Sequence, residues 1–271
     1  MPRISVIIPC FNDGKYIEEA LASLQLERNQ GKLEVIIVND GSTDGLTLDT
    51  LNRIRGRGIS VIEQVNQGPA VARSTGIQQA AGDYILPLDS DNKIDPDVFL
   101  RLASLMDADR SIDVCYTNAR YFGNKESEWT VGEIDIERIL DENYVDNCAL
   151  IRKTVFDRLG LYDGKIPYFG HEDWEFWVRL LAAGCKFHYE KTVGYYYRVR
   201  KDSLVRHFDE KKKAADKAYI LNKHYEQLRQ PLINSLIVAQ ASAKKQRYFE
   251  RNPLKAALKA YAKRLKRLFG K

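Results

Sequence analysis

The chain has 271 residues, 44% of them hydrophobic and 29% charged, a composition that can bury a sizeable core and excludes a disordered or fibrous protein. Its formal charge of +5 is local: eight basic residues and no acid follow Glu250, the body before them carries −3, and no nucleic-acid partner is expected. Four scattered cysteines (Cys10, Cys115, Cys148, Cys185) without a C-x-x-C pair exclude a disulfide scaffold or structural zinc site and fit a reducing cytoplasm.

Residues 3–9 and 34–38 are nearly continuous β-branched runs, the pattern of strands buried on both faces of a parallel sheet. The first run is broken by Pro9 and too short for a signal-peptide core, and no stretch of about 18 apolar residues is present to span a bilayer. Ile17, Ala20, Leu21 and Leu24 form a helical stripe after the first strand, as do Leu48, Leu51 and Ile54 after the second. A third strand is expected over 59–64, followed by a helix opened by Gly68-Pro69 and closed by Gly82. The fourth strand, 83–88, runs into Asp89-Ser90-Asp91-Asn92. This strand–helix alternation predicts a doubly wound α/β half-domain over 1–92, with a ligand crevice at the carboxyl ends of its strands. Residues 93–205 read as the same domain continuing with mixed strands: a helix at 95–107, a strand at 112–117, a helix at 171–183 and a Tyr-rich strand at 186–199. From 206 to 271 the pattern is helical, with helices expected over 207–229, 231–248 and 253–269.

Residues i and i+2 of an extended segment point the same way, so Asp89 and Asp91 aim at one spot past the sheet edge. Two hard oxygen ligands on a strand end suit Mg2+ or Mn2+ held jointly with substrate phosphates; the other reading is a solvated acidic turn. Asp40, in Asn39-Asp40-Gly41-Ser42-Thr43-Asp44 after the second strand, reads either as a second acid at the crevice or as a turn or helix-capping residue.

Four motifs in order, Pro9-x-Phe11-Asn12, Val38-Asn39-Asp40-Gly41-Ser42-Thr43-Asp44, Asn66-x-Gly68-x-x-x-Ala72-Arg73-x-x-Gly76 and Leu88-Asp89-Ser90-Asp91, resemble glycosyltransferase family 2 over about residues 3–200. The resemblance implies an inverting, nucleotide-sugar-dependent transferase with a GT-A-like fold: a mixed, mostly parallel sheet in an α/β domain, here followed by the helical C-terminal extension. It implies that Pro9, Phe11 and Asn12 line the nucleotide pocket and that Asp40 accepts a hydrogen bond from the base, which favours a UDP-sugar. Asn66, Gly68 and Arg73 would flank the nucleotide and its diphosphate. Asp89 would touch ribose or metal, Ser90 would sit beside the nucleotide, and Asp91 would ligate the metal. Ser74 and Asn92 depart from the residues usual in the family.

Glu172 and Asp173 fall in the first turn of the helix at 171–183, where the helix dipole alone favours acids. The resemblance places the family's E-D pair there, with Asp173 as general base and Glu172 orienting the site. A histidine that many relatives carry after the last strand is missing; Arg200 stands about there and would pair with phosphate, with His207 as the alternative. Asp146, Asn147 and His171 are plausible lining residues.

In the basic tail, Leu254, Leu258, Tyr261, Leu265, Leu268 and Phe269 recur at intervals of three and four. That pattern fits an interfacial helix (251–271) on an anionic membrane surface, or a helix packed on the enzyme body or a second subunit. The expected reaction is sugar transfer to a carbohydrate or lipid-linked acceptor in surface polysaccharide or glycolipid synthesis, by a cytoplasmic protein attached peripherally to the inner face of the membrane. A nucleotidyltransferase and a non-catalytic sugar-nucleotide-binding or membrane-scaffold protein are the alternatives, whereas the absence of G-x-G-x-x-G and G-x-x-x-x-G-K-[ST] disfavours dinucleotide and P-loop proteins.

Overall fold

The computed structural model describes residues 3–168, 170–200, 209–229 and 244. Two compact units are present, Met1–His224 and Tyr225–Lys271. In the first, the β-branched runs form β1 (Ile4–Cys10) and β2 (Leu33–Asp40), followed by β3 (Ser60–Gln64) and β4 (Tyr84–Pro87). Helices α1 (Ile17–Ser23), α2 (Gly45–Gly56) and α3 (Pro69–Gln79) connect them. Then come β5 (Lys93–Ile94), α4 (Pro96–Ala108), β6 (Val114–Gly123), β7 (Ser127–Trp129), α5 (Ile136–Asp141), β8 (Leu150–Arg152), α6 (Lys153–Leu159), α7 (Glu172–Ala182), β9 (Phe187–Val199) and α8 (Glu210–Lys223).

All the strands join one mixed sheet in the order β3-β2-β1-β4-β8-β6-β9-β5, with β7 paired to β6. The long ladders, β1 with β2 and β4, β2 with β3, and β6 with β9, are parallel. Antiparallel pairings are confined to two or three residue pairs each. The strands β1, β2 and β4 are buried almost throughout, which is why they read as unbroken apolar runs. Helix α3 lies directly on this sheet: a Cβ on Gly76 would stand 2.6 Å from Ile7 Cγ2.

The first compact unit takes in α8, which the sequence assigns to the extension. The helices expected over 231–248 and 253–269, the basic tail 251–271 and His207 lie outside the described residues. Among the described residues no helix is long and apolar enough to cross a membrane, and all four cysteines are free and buried.

Candidate active site

The carboxyl ends of β1, β2 and β4 carry the motif loops side by side. Asn12, in the left-handed region at φ 54°, links the first two: its amide donates to Ser42 Oγ at 3.0 Å, and its Oδ1 accepts from the amides of Thr43 (2.8 Å) and Asp44 (3.2 Å). Gly41 at φ 72° lets the second loop pass the third, since a Cβ there would come within 2.7 Å of the Asn66 amide nitrogen. Phe11 is 47% exposed at this edge, an aromatic face left open where a nucleotide would pack. Asn66 is exposed nearby.

Asp40 is buried, and its role in the structure is to hold the loop before α3. Its Oδ1 accepts from Gln64 Nε2 (2.7 Å) and the Gln67 amide (2.9 Å), its Oδ2 from the Gly68 amide (2.9 Å). Asp44, by contrast, caps α2 through the Thr47 amide. Ser90 is buried and donates to Asp13 Oδ2 at 2.8 Å, tying the fourth motif to the loop after β1. Asn92 accepts from the Arg198 amide at 2.8 Å, so this departure from a third acid is occupied in fastening β9.

Arg73 joins the fourth motif to the E-D pair. Only 5% exposed, it reaches from α3 to Asp89 Oδ1 (2.6 Å) and to Glu172, whose other oxygen accepts from the Gly170 amide at 2.9 Å. The guanidinium expected to face a diphosphate is thus engaged by two carboxylates, and the negative charges it neutralises hold it in its charged form.

Asp173 is partly exposed beside this pair. Its Oδ1 accepts from Asn143 Nδ2 (3.0 Å) and the Trp174 amide (2.8 Å). The helix that carries it is anchored by its tryptophans: the Trp174 and Trp177 indoles donate to the Ile139 and Val145 carbonyls at 2.5 and 3.0 Å. Removal from water, then the charges of Glu172 and Asp146, push the Asp173 carboxyl well above the usual carboxylate range. Asp146 is pushed up to about 7 by burial and by Asp89, and Asp91 likewise to about 7 by burial, then Asp89.

Asp13, Asp89, Asp91, Asp146, Glu172 and Asp173 therefore share one electrostatic neighbourhood. Arg200 enters it from the end of β9, with Nη1 2.6 Å from Asp13 Oδ1 and Nε 3.0 Å from Asp91 Oδ2. Excess negative charge and hard oxygen donors fit a divalent cation. Among the described residues, however, no cluster of three or more His, Cys, Asp or Glu is set to hold one alone. Asp89 and Asp91, the two acids expected to meet a metal, are instead paired in the structure with Arg73 and Arg200.

Asp13 and Asn143 belong to this cluster although the sequence does not single them out, while Asp146, expected as a lining residue, belongs to it too. Asp13 has a faint signal, the Asn-Asp pair after β1 that parallels Asn39-Asp40 after β2. Asn147 is structural, accepting from the Tyr162 hydroxyl at 2.6 Å, and His171 pairs with Asp216 of α8.

The family model described as Glycosyl transferase family 2 matches residues 5–193. Glycosyltransferase GlyA of Streptococcus pneumoniae is 30% identical over 277 residues, covering 89% of this chain and 38% of that protein, so the chain spans little more than a third of GlyA. The Escherichia coli protein WfaP, described as a UDP-Glc:alpha-D-GlcNAc-diphosphoundecaprenol beta-1,3-glucosyltransferase, is 29% identical over 206 residues, covering 75% of this chain and 80% of that protein. Among solved structures, S. aureus TarS 1–349 in complex with UDP-GlcNAc matches with a TM-score of 0.65 and 21% identity, over 83% of this chain and 72% of that one.

Proposed function

The chain belongs to glycosyl transferase family 2, and from that membership we propose an inverting enzyme that moves a sugar from a UDP-sugar to an acceptor hydroxyl with Asp173 as general base. The observation that supports this reading is the Arg73 bridge, which ties Asp89 at the end of the fourth strand to Glu172, the neighbour of Asp173.

In this reading Asp173 takes the acceptor proton as the acceptor oxygen bonds to the anomeric carbon and the bond to the diphosphate breaks. One displacement inverts the centre, with no covalent sugar intermediate. A carboxylate made more basic than usual by burial suits that step. Glu172, buried and paired with Arg73, orients the base rather than touching substrate. Pro9, Phe11, Asn12, Asn66 and Gly68 form the nucleotide wall, and Asp40 shapes it by holding the Gln67 and Gly68 amides. Asp89 and Asp91 would hold Mg2+ or Mn2+; when bound, the ion offsets charge developing on the leaving diphosphate. Arg200 brings a phosphate-matching guanidinium to the same place.

The likeness to WfaP supports a lipid-linked acceptor and a role in polysaccharide or glycolipid synthesis. The basic residues of 251–271 would then keep the enzyme at an anionic membrane. Liposome co-sedimentation of the full chain against one ending at Glu250 checks this last point, and equal binding removes it.

A panel of nucleotide sugars tests the central reading, scored first by thermal stabilisation with Mn2+ and then by sugar transfer. Stabilisation by UDP-sugars with turnover that Asp173→Asn abolishes is the expected result. Stabilisation without turnover in the parent would leave a binding module and overturn it.

A further inference from the structure

Helix α8 lies beyond the last motif, yet one face of it is built around the approach to the E-D pair. Asp216, Tyr219, Ile220, Lys223 and His224 recur at the three-and-four spacing of a single helical face. Lys223 reaches Asp163 at 2.6 Å, and the Tyr219 hydroxyl donates to the same carboxylate at 2.8 Å. Lys223 and His224 also meet Glu175 inside α7, at 2.9 and 2.7 Å. Glu175 is wholly buried; against the push of burial, His224, Arg179 and Lys223 hold its carboxyl below the usual range. The stretch from Asp163 to Glu175, which carries Glu172 and Asp173, is thereby fastened to α8 at both ends.

Between these ends stands Asp216, with no exposed surface. Its Oδ1 accepts from the Tyr168 amide at 3.1 Å, and its Oδ2 lies 2.7 Å from His171 Nδ1, one residue before Glu172. Ile220 on the same face is buried and supplies apolar adhesion. A buried carboxylate adds little net adhesion, because desolvation offsets what its partners return. What it adds is direction, since each oxygen fixes one group of the segment.

We propose that Asp216 is a positioning residue for sugar transfer: through the Tyr168 amide and the His171 ring it fixes the start of α7, and with it Glu172 and Asp173. This rests on the reading of Asp173 as the base. Glu172 is then held from two sides, by Arg73 of the donor half and by the segment that α8 clamps. Helix α8 is thereby part of the acceptor side of the site, acting on the catalytic step without touching substrate.

The test uses the full chain with Asp216→Asn, which keeps the shape and one acceptor oxygen, and Asp216→Ala, which keeps neither. Lys217→Ala, on another face of α8 where Lys217 meets Asp141, is the control. Hydrogen exchange of peptides spanning 160–172 is measured without substrate, UDP affinity with Mn2+ by calorimetry, and kcat and KM with a UDP-sugar that turns over. Faster exchange in that segment is expected, greater for Ala than for Asn. With it kcat should fall about a hundredfold for Ala and less for Asn, the scale set by small misplacements of reacting groups. UDP affinity and donor KM should stay within about twofold, and the control should match the parent. Unchanged exchange overturns the proposal, and so does faster exchange with kcat within about twofold of the parent. Absence of turnover in the parent itself counts against the glycosyl-transfer reading, while the exchange result still decides whether Asp216 holds the segment.

Discussion

Arg73 and Glu172, 99 positions apart in the chain, form an ion pair with both side chains buried, and the same guanidinium reaches Asp89. Removing the cation leaves the buried Glu172 carboxylate without its counter-ion and the half-buried Asp89 without its partner. Arg73→Met should therefore cost about 3–5 kcal/mol, the range for breaking a buried pair from one side. Arg73→Lys should recover only part of that, because an ammonium cannot present two parallel donors. Urea denaturation midpoints measure both; a loss below about 1 kcal/mol for Met would show that the bridge is dispensable.

Asp173→Asn should lower kcat by about 10²–10⁴, the usual contribution of a general base, while UDP binding is retained. The parent should also lose activity as pH falls, because the base works only when deprotonated. Burial, Glu172 and Asp146 raise its pKa, so that loss should begin at a higher pH than an ordinary carboxylate would give. A kcat profile flat down to ~pH 4, where a free carboxyl titrates, would contradict this.

Asp146 links protonation to stability in the opposite sense from a salt-bridged acid. Its folded-state pKa of about 7 lies above the unfolded value of about 3.9, so between the two the folded chain holds a proton that the unfolded chain releases. Stability from this group falls as pH rises through that window. Asp146→Asn keeps the acceptor for the Cys148 amide and removes the charge. Its gain in melting temperature over the parent should be larger at ~pH 8 than at ~pH 5; a gain independent of pH would refute the assignment.

Gly76→Ala tests how α3 is seated. The added methyl meets Ile7 Cγ2 at 2.6 Å and Val38 Cγ2 at 3.2 Å, so the helix must lift or the strands must part. A cost of about 1–3 kcal/mol is expected from overpacking, read from the denaturation midpoint. A stabilised variant would mean that the helix moves freely on the sheet.

Strands β1, β2 and β4 are legible in the sequence because burial on both faces leaves unbroken apolar runs. The first, second and fourth motif loops are legible because each follows such a run, and the third because Gly68-Pro69 opens a helix. Strands β5, β7 and β8, of two or three residues, are too short to leave a period, so the middle of the chain reads only as mixed. Pairings between residues remote in the chain are not legible at all. Arg73 is expected beside the diphosphate, and its pairing with Glu172, 99 positions away, leaves no trace in the sequence; nor does the pairing of His171 with Asp216, 45 positions apart. Ser90 reads as a pocket residue, but its hydroxyl faces Asp13.

The order in which the ribosome delivers these parts adds a last consequence. Every strand of the donor half is complete by Asn92, but Arg73 then has Asp89 and lacks Glu172, and the helix that steadies the approach to Glu172 is finished only at Lys223. On the proposed roles, a nascent chain stopped before that helix would carry the nucleotide wall without the contacts proposed to fix the base. On that reading, competence for transfer comes only once Lys223 has been added.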